Sequence, residues 1–204
     1  MNSLAKDYRE RYEHALCPIA RALSEQLEQY LATEPRIDRI HVRAKSVSSF
    51  MGKAAAKIDG HLKYEDPLAQ IQDQIGARIV TFYNSDIERI KRIIEKYYRP
   101  IEKKSRAPDS EWEFGYFGFH FVLLIPTELK DLPSNREHAP DCFELQIKTL
   151  FQHAWSEANH DLGYKANQAP LEREEARQLA YTSAQAWGAD RVFDDLFRKR
   201  SDSF

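Results

Sequence analysis

Residues 142–162, CFELQIKTLFQHAWSEANHDL, change period midway. Through Thr149 the pattern is two: Phe143, Leu145 and Ile147 point one way, Glu144, Gln146 and Lys148 the other. From Leu150 the period lengthens to that of a helix carrying His153, Trp155, Glu157 and His160. A strand with one apolar and one charged face needs a core on one side and a polar ligand or solvent on the other. It also runs without a break into a helix, which limits the chain to folds where sheet and helix share a layer boundary.

A chain of 204 residues with 42% hydrophobic and 12% aromatic residues can bury a core of its own. It has no apolar run of about 18 residues, and its charged start, MNSLAKDYRERYEHAL, lacks the apolar stretch of a secretory signal. Cys17 and Cys142 are too few for a disulfide framework or a closed zinc site, so the expectation is a cytoplasmic protein with reduced thiols and no membrane partner. The net charge of −2 hides an uneven distribution. Residues 36–106 hold 16 Lys and Arg against 9 Asp and Glu, a local +7, which leaves −9 for the remainder. A basic middle reads either as solvated helix faces or as a local anion site.

The remaining segments alternate in type. Residues 4–32 read as a helix that Pro18 kinks or interrupts. RIDRIHVRAKS is a short strand, and the helix after it opens at Ser46 or Ser48. Past a polar loop come the strand GARIVTFY and the helix NSDIERIKRIIEKYY. Residues 99–114 read as a charged loop, FGFHFVLLIP as a strand, 127–141 as loop, and 171–199 as a closing helical region broken near Gly188. The expected fold is α/β (α+β): one domain spanning 1–204, with a mixed sheet of four or five strands flanked by helices. Its core covers about 36–165, with helical extensions at 4–32 and 171–199 that are candidate self-association surfaces.

Several clusters on this frame have chemical potential. Arg43 and Lys45 lie two apart on one strand face, Ser46 follows at a helix start, and Lys53 lies one to two turns further on. The group is either the charge defence of an exposed edge or an anion site built on a helix N-terminus. Asp73 precedes Gly76 and a strand bearing Arg78; it is a turn cap or, beside the basic cluster, a Mg²⁺ ligand. Glu144 can supply a second carboxylate. Tyr116 sits where a loop enters a strand and can stack on a base, while His120 interrupts an apolar run as a hydrogen-bonded core residue or a ligand. His153, Glu157, His160 and Tyr164 form one helical stripe, which suits substrate positioning better than zinc.

In chain order these segments resemble the RelA/SpoT nucleotidyltransferase family over roughly residues 40–165. The resemblance rests on Arg43-x-Lys45-Ser46, Asp73-x-x-Gly76-x-Arg78, Gly115-Tyr116 with His120, and Glu144-x-Gln146 leading to Trp155, His160, Tyr164 and Lys165. It implies Mg²⁺-dependent transfer of pyrophosphate from ATP to the ribose 3′-hydroxyl of GDP or GTP, giving (p)ppGpp and AMP. Arg43, Lys45, Ser46, Lys53 and Arg78 would then hold ATP; Asp73 and Glu144 the metal; Tyr116, His120, Gln146 and Lys148 the acceptor. Glu144, Asp73 and Arg78 would form the catalytic group. Phe117 and Gly118 stand where the family commonly has a basic residue and a serine, and Lys148 stands for its usual arginine. These departures lie on the acceptor side, so the resemblance also admits a toxin-type relative that modifies an adenine nucleotide or the tRNA 3′ end and is paired with an antitoxin.

Overall fold

The computed structural model describes residues 2–105, 118–131, 138–163 and 171–201. The chain starts with α1 (Asn2–Arg11), a π-helical turn at Tyr12–Leu16, and α2 (Cys17–Tyr30). Pro18 has no N–H and its ring would meet a carbonyl of the preceding turn, so the helix widens just ahead of it and Pro18 falls in the first turn of α2. The interruption expected at Pro18 is this wide turn.

Next come β1 (Ile37–Ala44), α3 (Val47–Ala54) and a small hairpin of β2 (Lys57–Ile58) and β3 (His61–Leu62). Its two-residue turn, Asp59–Gly60, has φ of 51° and 84°, the left-handed pair that Asp-Gly accommodates. The sequence reading had only a polar loop here. A short α4 (Pro67–Gln70) and a 3₁₀ turn (Gln72–Gln74) lead into β4 (Ile75–Thr81) and α5 (Asn84–Tyr97).

Two further elements fall where loop was expected: β5 (Pro100–Ser105) and α6 (Thr127–Lys130). The strand escaped detection because PIEKKS, at the sheet edge, carries charge on both faces instead of alternating. β6 (Phe119–Leu124), β7 (Cys142–Thr149) and α7 (Leu150–Gly163) follow. The last helix, α8 (Arg173–Ser201), passes through Gly188 unbroken. A mid-helix glycine costs about 1 kcal/mol, which this 29-residue helix tolerates. Among the described residues no helix is long and apolar enough to cross a membrane.

The five long strands form one mixed sheet in the order β1-β4-β7-β6-β5, within the expected number. β4 and β7 run parallel; every other neighbouring pair is antiparallel. Phe143, Leu145 and Ile147 are fully buried, together with Ile79, Phe121 and Leu123. Burying each such side chain stabilises the fold by about 1.5–3 kcal/mol. The same core takes in Leu16, Ile19, Leu23 and Leu27 from the first two helical segments and Ile87, Ile90 and Ile94 from α5. The N-terminal helices are thus a wall of the core, not an appendage to it.

α8 is held by polar contacts. Asp194 accepts a hydrogen bond from the Ser85 amide at the start of α5 (2.9 Å) and pairs with Arg198, and Asp190 accepts from Thr149 at the end of β7. Phe197 stacks on Tyr83, and the Arg36 guanidinium lies over its ring.

Candidate active site

Two rows of side chains run straight across the sheet on the face opposite the core. Residues paired across adjacent strands share a face. One row is His41, Arg78, Gln146, His120 and Lys104; the next is Arg43, Gly76, Glu144, Val122 and Glu102. The charged side of the strand at 142–149 is thus one column of a polar surface five strands wide. That surface opens into a cleft of about 180 Å³, lined among others by Lys53, Asp73, Glu102, Lys104, His120 and Glu144.

Asp73 sits in the 3₁₀ turn just ahead of β4, so it enters the cleft from the sheet's end. Lys45 reaches one of its oxygens and Lys53 the other, each at 2.9 Å. Burial pushes the Asp73 carboxyl up, but hydrogen bonds from the two ammonium groups, and their charges, outweigh this and hold it below the usual range. The sequence places these three groups by separate local rules. Lys45 directly follows β1, and its amide donates to the Gln74 carbonyl (2.8 Å). Ser46 caps α3 by accepting from the Ser49 amide (3.2 Å), which directs Lys53 back from the last turn.

The first helix braces this corner. Tyr8 lies flat on Phe50, ring centroids 3.6 Å apart, and donates its hydroxyl to the Lys45 carbonyl (2.8 Å). Arg11 donates to the Gln74 side chain (3.1 Å) and the Leu68 carbonyl (2.9 Å), tying down the turn that carries Asp73.

Across the cleft, Glu144 Oε1 accepts from His120 Nδ1 (2.9 Å) and Gln146 Nε2 (3.3 Å). Burial raises the Glu144 carboxyl, but the hydrogen bond and charge of His120, then the Gln146 amide, bring it below its ordinary value; the Asp73 charge opposes them. The two carboxylates are therefore within electrostatic reach of each other. Two atoms beside this group, His120 Nε2 and Gln146 Oε1, are buried and have no hydrogen-bond partner among the described residues. Buried polar atoms are rarely left so.

Arg43 is exposed on the same face beside Gly76. Arg78 is turned toward α7, where its Nη1 meets Glu157 (2.5 Å) and His153 (3.2 Å). Lys148 lies further along the same column under α7, 4% exposed, donating to Ser156 Oγ (2.9 Å). Gly115, Tyr116, Phe117, Tyr164 and Lys165 lie outside the described residues. His41, Glu102 and Lys104 on the outer strands, and Tyr64, Gln70 and Gln72 lining the cleft, were not singled out from the sequence. The Lys104–His120 pairing was hidden by reading β5 as loop.

This layered sheet, apolar on one side and lined on the other with opposed carboxylates among cations, is a nucleotidyltransferase-like α/β fold. Residues 42–169 match the region found in RelA and SpoT proteins. The chain belongs to the RelA/SpoT family. It is 27% identical over 169 residues to the GTP pyrophosphokinase YjbM of Bacillus subtilis (strain 168), covering 76% of this chain and 74% of that protein. In structure it resembles small alarmone synthetase 1 from Bacillus subtilis bound to its product pppGpp, with a TM-score of 0.70 at 22% identity over 94% of this chain and 95% of the other. A GTP pyrophosphokinase family protein from Streptococcus pneumoniae matches with a TM-score of 0.73 at 21% identity, over 91% and 92% of the two chains.

Proposed function

We propose that this protein moves the β,γ-pyrophosphate of ATP to the ribose 3′-hydroxyl of GDP or GTP, releasing AMP and forming (p)ppGpp in the cytoplasm. The observation that carries the reading is the cleft itself. Asp73 and Glu144 face one space, flanked by Lys45 and Lys53 on one side and by the unpartnered atoms of His120 and Gln146 on the other.

A divalent cation fits this donor set. Both carboxyls are held in the ionised form, their oxygens are hard ligands, and Mg²⁺ commonly takes one or two carboxylates with phosphates completing its shell. Asp73 and Glu144 would hold the ion, which supplies charge neutralisation at the phosphate oxygens when bound. Arg43, Lys45 and Lys53 hold the donor phosphates, and Ser46 fixes the helix start from which Lys53 projects. Arg78 binds the donor nucleotide from the same face. Phosphoryl transfer depends mostly on such positioning and charge stabilisation.

On the acceptor side, His120 Nε2 and Gln146 Oε1 gain partners from the nucleotide, and Tyr116 stacks on its base. Lys148 supports this end of the strand from beneath α7. Glu144 takes the 3′-hydroxyl proton.

The test is transfer of label from γ-labelled ATP with Mg²⁺ and, in separate reactions, GDP, GTP, ADP or deacylated tRNA. Label on the guanosine nucleotides is expected. Label on ADP or tRNA alone would replace the acceptor, and no transfer to any of them would remove the reading.

A further inference from the structure

Arg78 is the one cation of the polar rows with its guanidinium bound by α7. Both contacts fall on the same nitrogen: Nη1 donates to Glu157 Oε1 at 2.5 Å and to His153 Nδ1 at 3.2 Å. His153 and Glu157 are four apart and therefore neighbours on one helix face. The His153 carbonyl accepts from Ser156 Oγ (3.0 Å), which in turn accepts from Lys148 Nζ (2.9 Å), so this turn of α7 is tied to β7. Among the described residues neither Nε nor Nη2 of Arg78 has a hydrogen-bond partner, which leaves that edge of the fork for a ligand.

We propose that His153 and Glu157 are positioning residues for donor binding: they fix one guanidinium nitrogen of Arg78 and so aim the rest of the group at the nucleotide. The inference rests on the reading that this face takes ATP. Its direction follows from which protonation state can serve. Only a neutral imidazole has an Nδ1 lone pair to accept from arginine. The groups facing His153 are Arg78 from β4, Arg39 from β1, Lys148 from β7 and Glu157 from its own helix. Burial and then Arg78 hold the ring below its ordinary value of 6.5, with Arg39 and Lys148 adding to this and Glu157 opposing. The ring is thus neutral and accepting at pH 7. Acidification turns the acceptor into a donor, Arg78 loses a partner, and Glu157 must serve two cations.

Kinetics and NMR together test this. At pH 7, His153→Ala and Glu157→Gln should each raise KM for ATP by about tenfold while changing kcat little, as for loss of one charged hydrogen bond. His153→Asn keeps an acceptor near the Nδ1 position and should restore KM. It should also remove the rise in KM that the wild type shows from pH 7 to 5.5. In the nucleotide-free protein, the His153 ring should titrate below 6.5, and lower still in Glu157→Gln. Thermal midpoints serve as the folding control. ATP binding by the wild type that His153→Ala and Glu157→Gln reproduce unchanged overturns this inference alone. So does a His153→Asn profile that follows the wild type, or a ring that titrates at or above 6.5. A wild type that binds no ATP overturns the reading of the cleft and this inference with it.

Discussion

His120 and Glu144 face each other from neighbouring antiparallel strands, Nδ1 2.9 Å from Oε1, two pairing positions apart in the register and so on the same face. The strand pairing sets that distance, so the pair exists before any ligand arrives. Glu144→Gln keeps the shape, loses the charge and cannot take a proton. Transfer should fall by about 10²–10⁴-fold, with ATP affinity largely intact. Radiolabel transfer and calorimetric ATP titration separate the two, and an active variant would remove Glu144 from the chemistry.

Asp73 ties acid stability to the site. Its folded-state carboxyl lies below the ordinary 3.8, so its contribution is fully present above that value and fades as pH falls through the lower folded one. Asp73→Asn leaves Lys45 and Lys53 without their shared anion. The variant should be less stable than the wild type at pH 6, and the gap should narrow toward pH 2. Thermal midpoints measured across that range decide it; a constant gap would mean the loss is not electrostatic.

Tyr8 joins the first helix to the donor corner through the Lys45 carbonyl. Tyr8→Phe keeps the stack on Phe50 and deletes one buried hydrogen bond, costing about 1 kcal/mol, or about 2–4 °C of thermal midpoint in a chain of this size. KM for ATP should rise with it, since the freed carbonyl belongs to Lys45 itself. An unchanged KM alongside the expected melting shift would confine Tyr8 to a structural role.

Gly118 has no room for a side chain. A Cβ there would overlap the Ile147 carbonyl oxygen and stand 2.5 Å from Lys148 Cγ. Gly118→Ser, which installs the residue usual in the family, should destabilise the protein by about 1–3 kcal/mol as overpacking does. A variant melting like the wild type would show that β7 yields easily at this point.

Much of the site could be read from local patterns. The alternation at 142–149 placed Glu144 and Gln146 on one face, Ser46 marked a helix start, and Arg43 lies on the polar face of β1 as expected, whereas Lys45 falls one residue past the end of that strand. β5 could not be read in this way. Its edge position leaves both faces wet, so no apolar residue marks the inner one, and Glu102 and Lys104 stayed hidden with it. The Asp-Gly at 59–60 was a hairpin signal that a general impression of polarity concealed.

The sequence by itself determined the elements that carry a clear period or cap, and the side their residues face, because period and capping are short-range properties carried by a few neighbouring side chains. Only the tertiary structure decided which columns stand side by side. The order β1-β4-β7-β6-β5 brings together residues from the N-terminal, middle and C-terminal parts of the chain: Gly76 between Arg43 and Glu144, Arg78 under His153 and Glu157, Asp73 between two lysines. Pairing order is set by burial of the opposite, apolar face, a sum over the whole core that no local stretch of sequence contains.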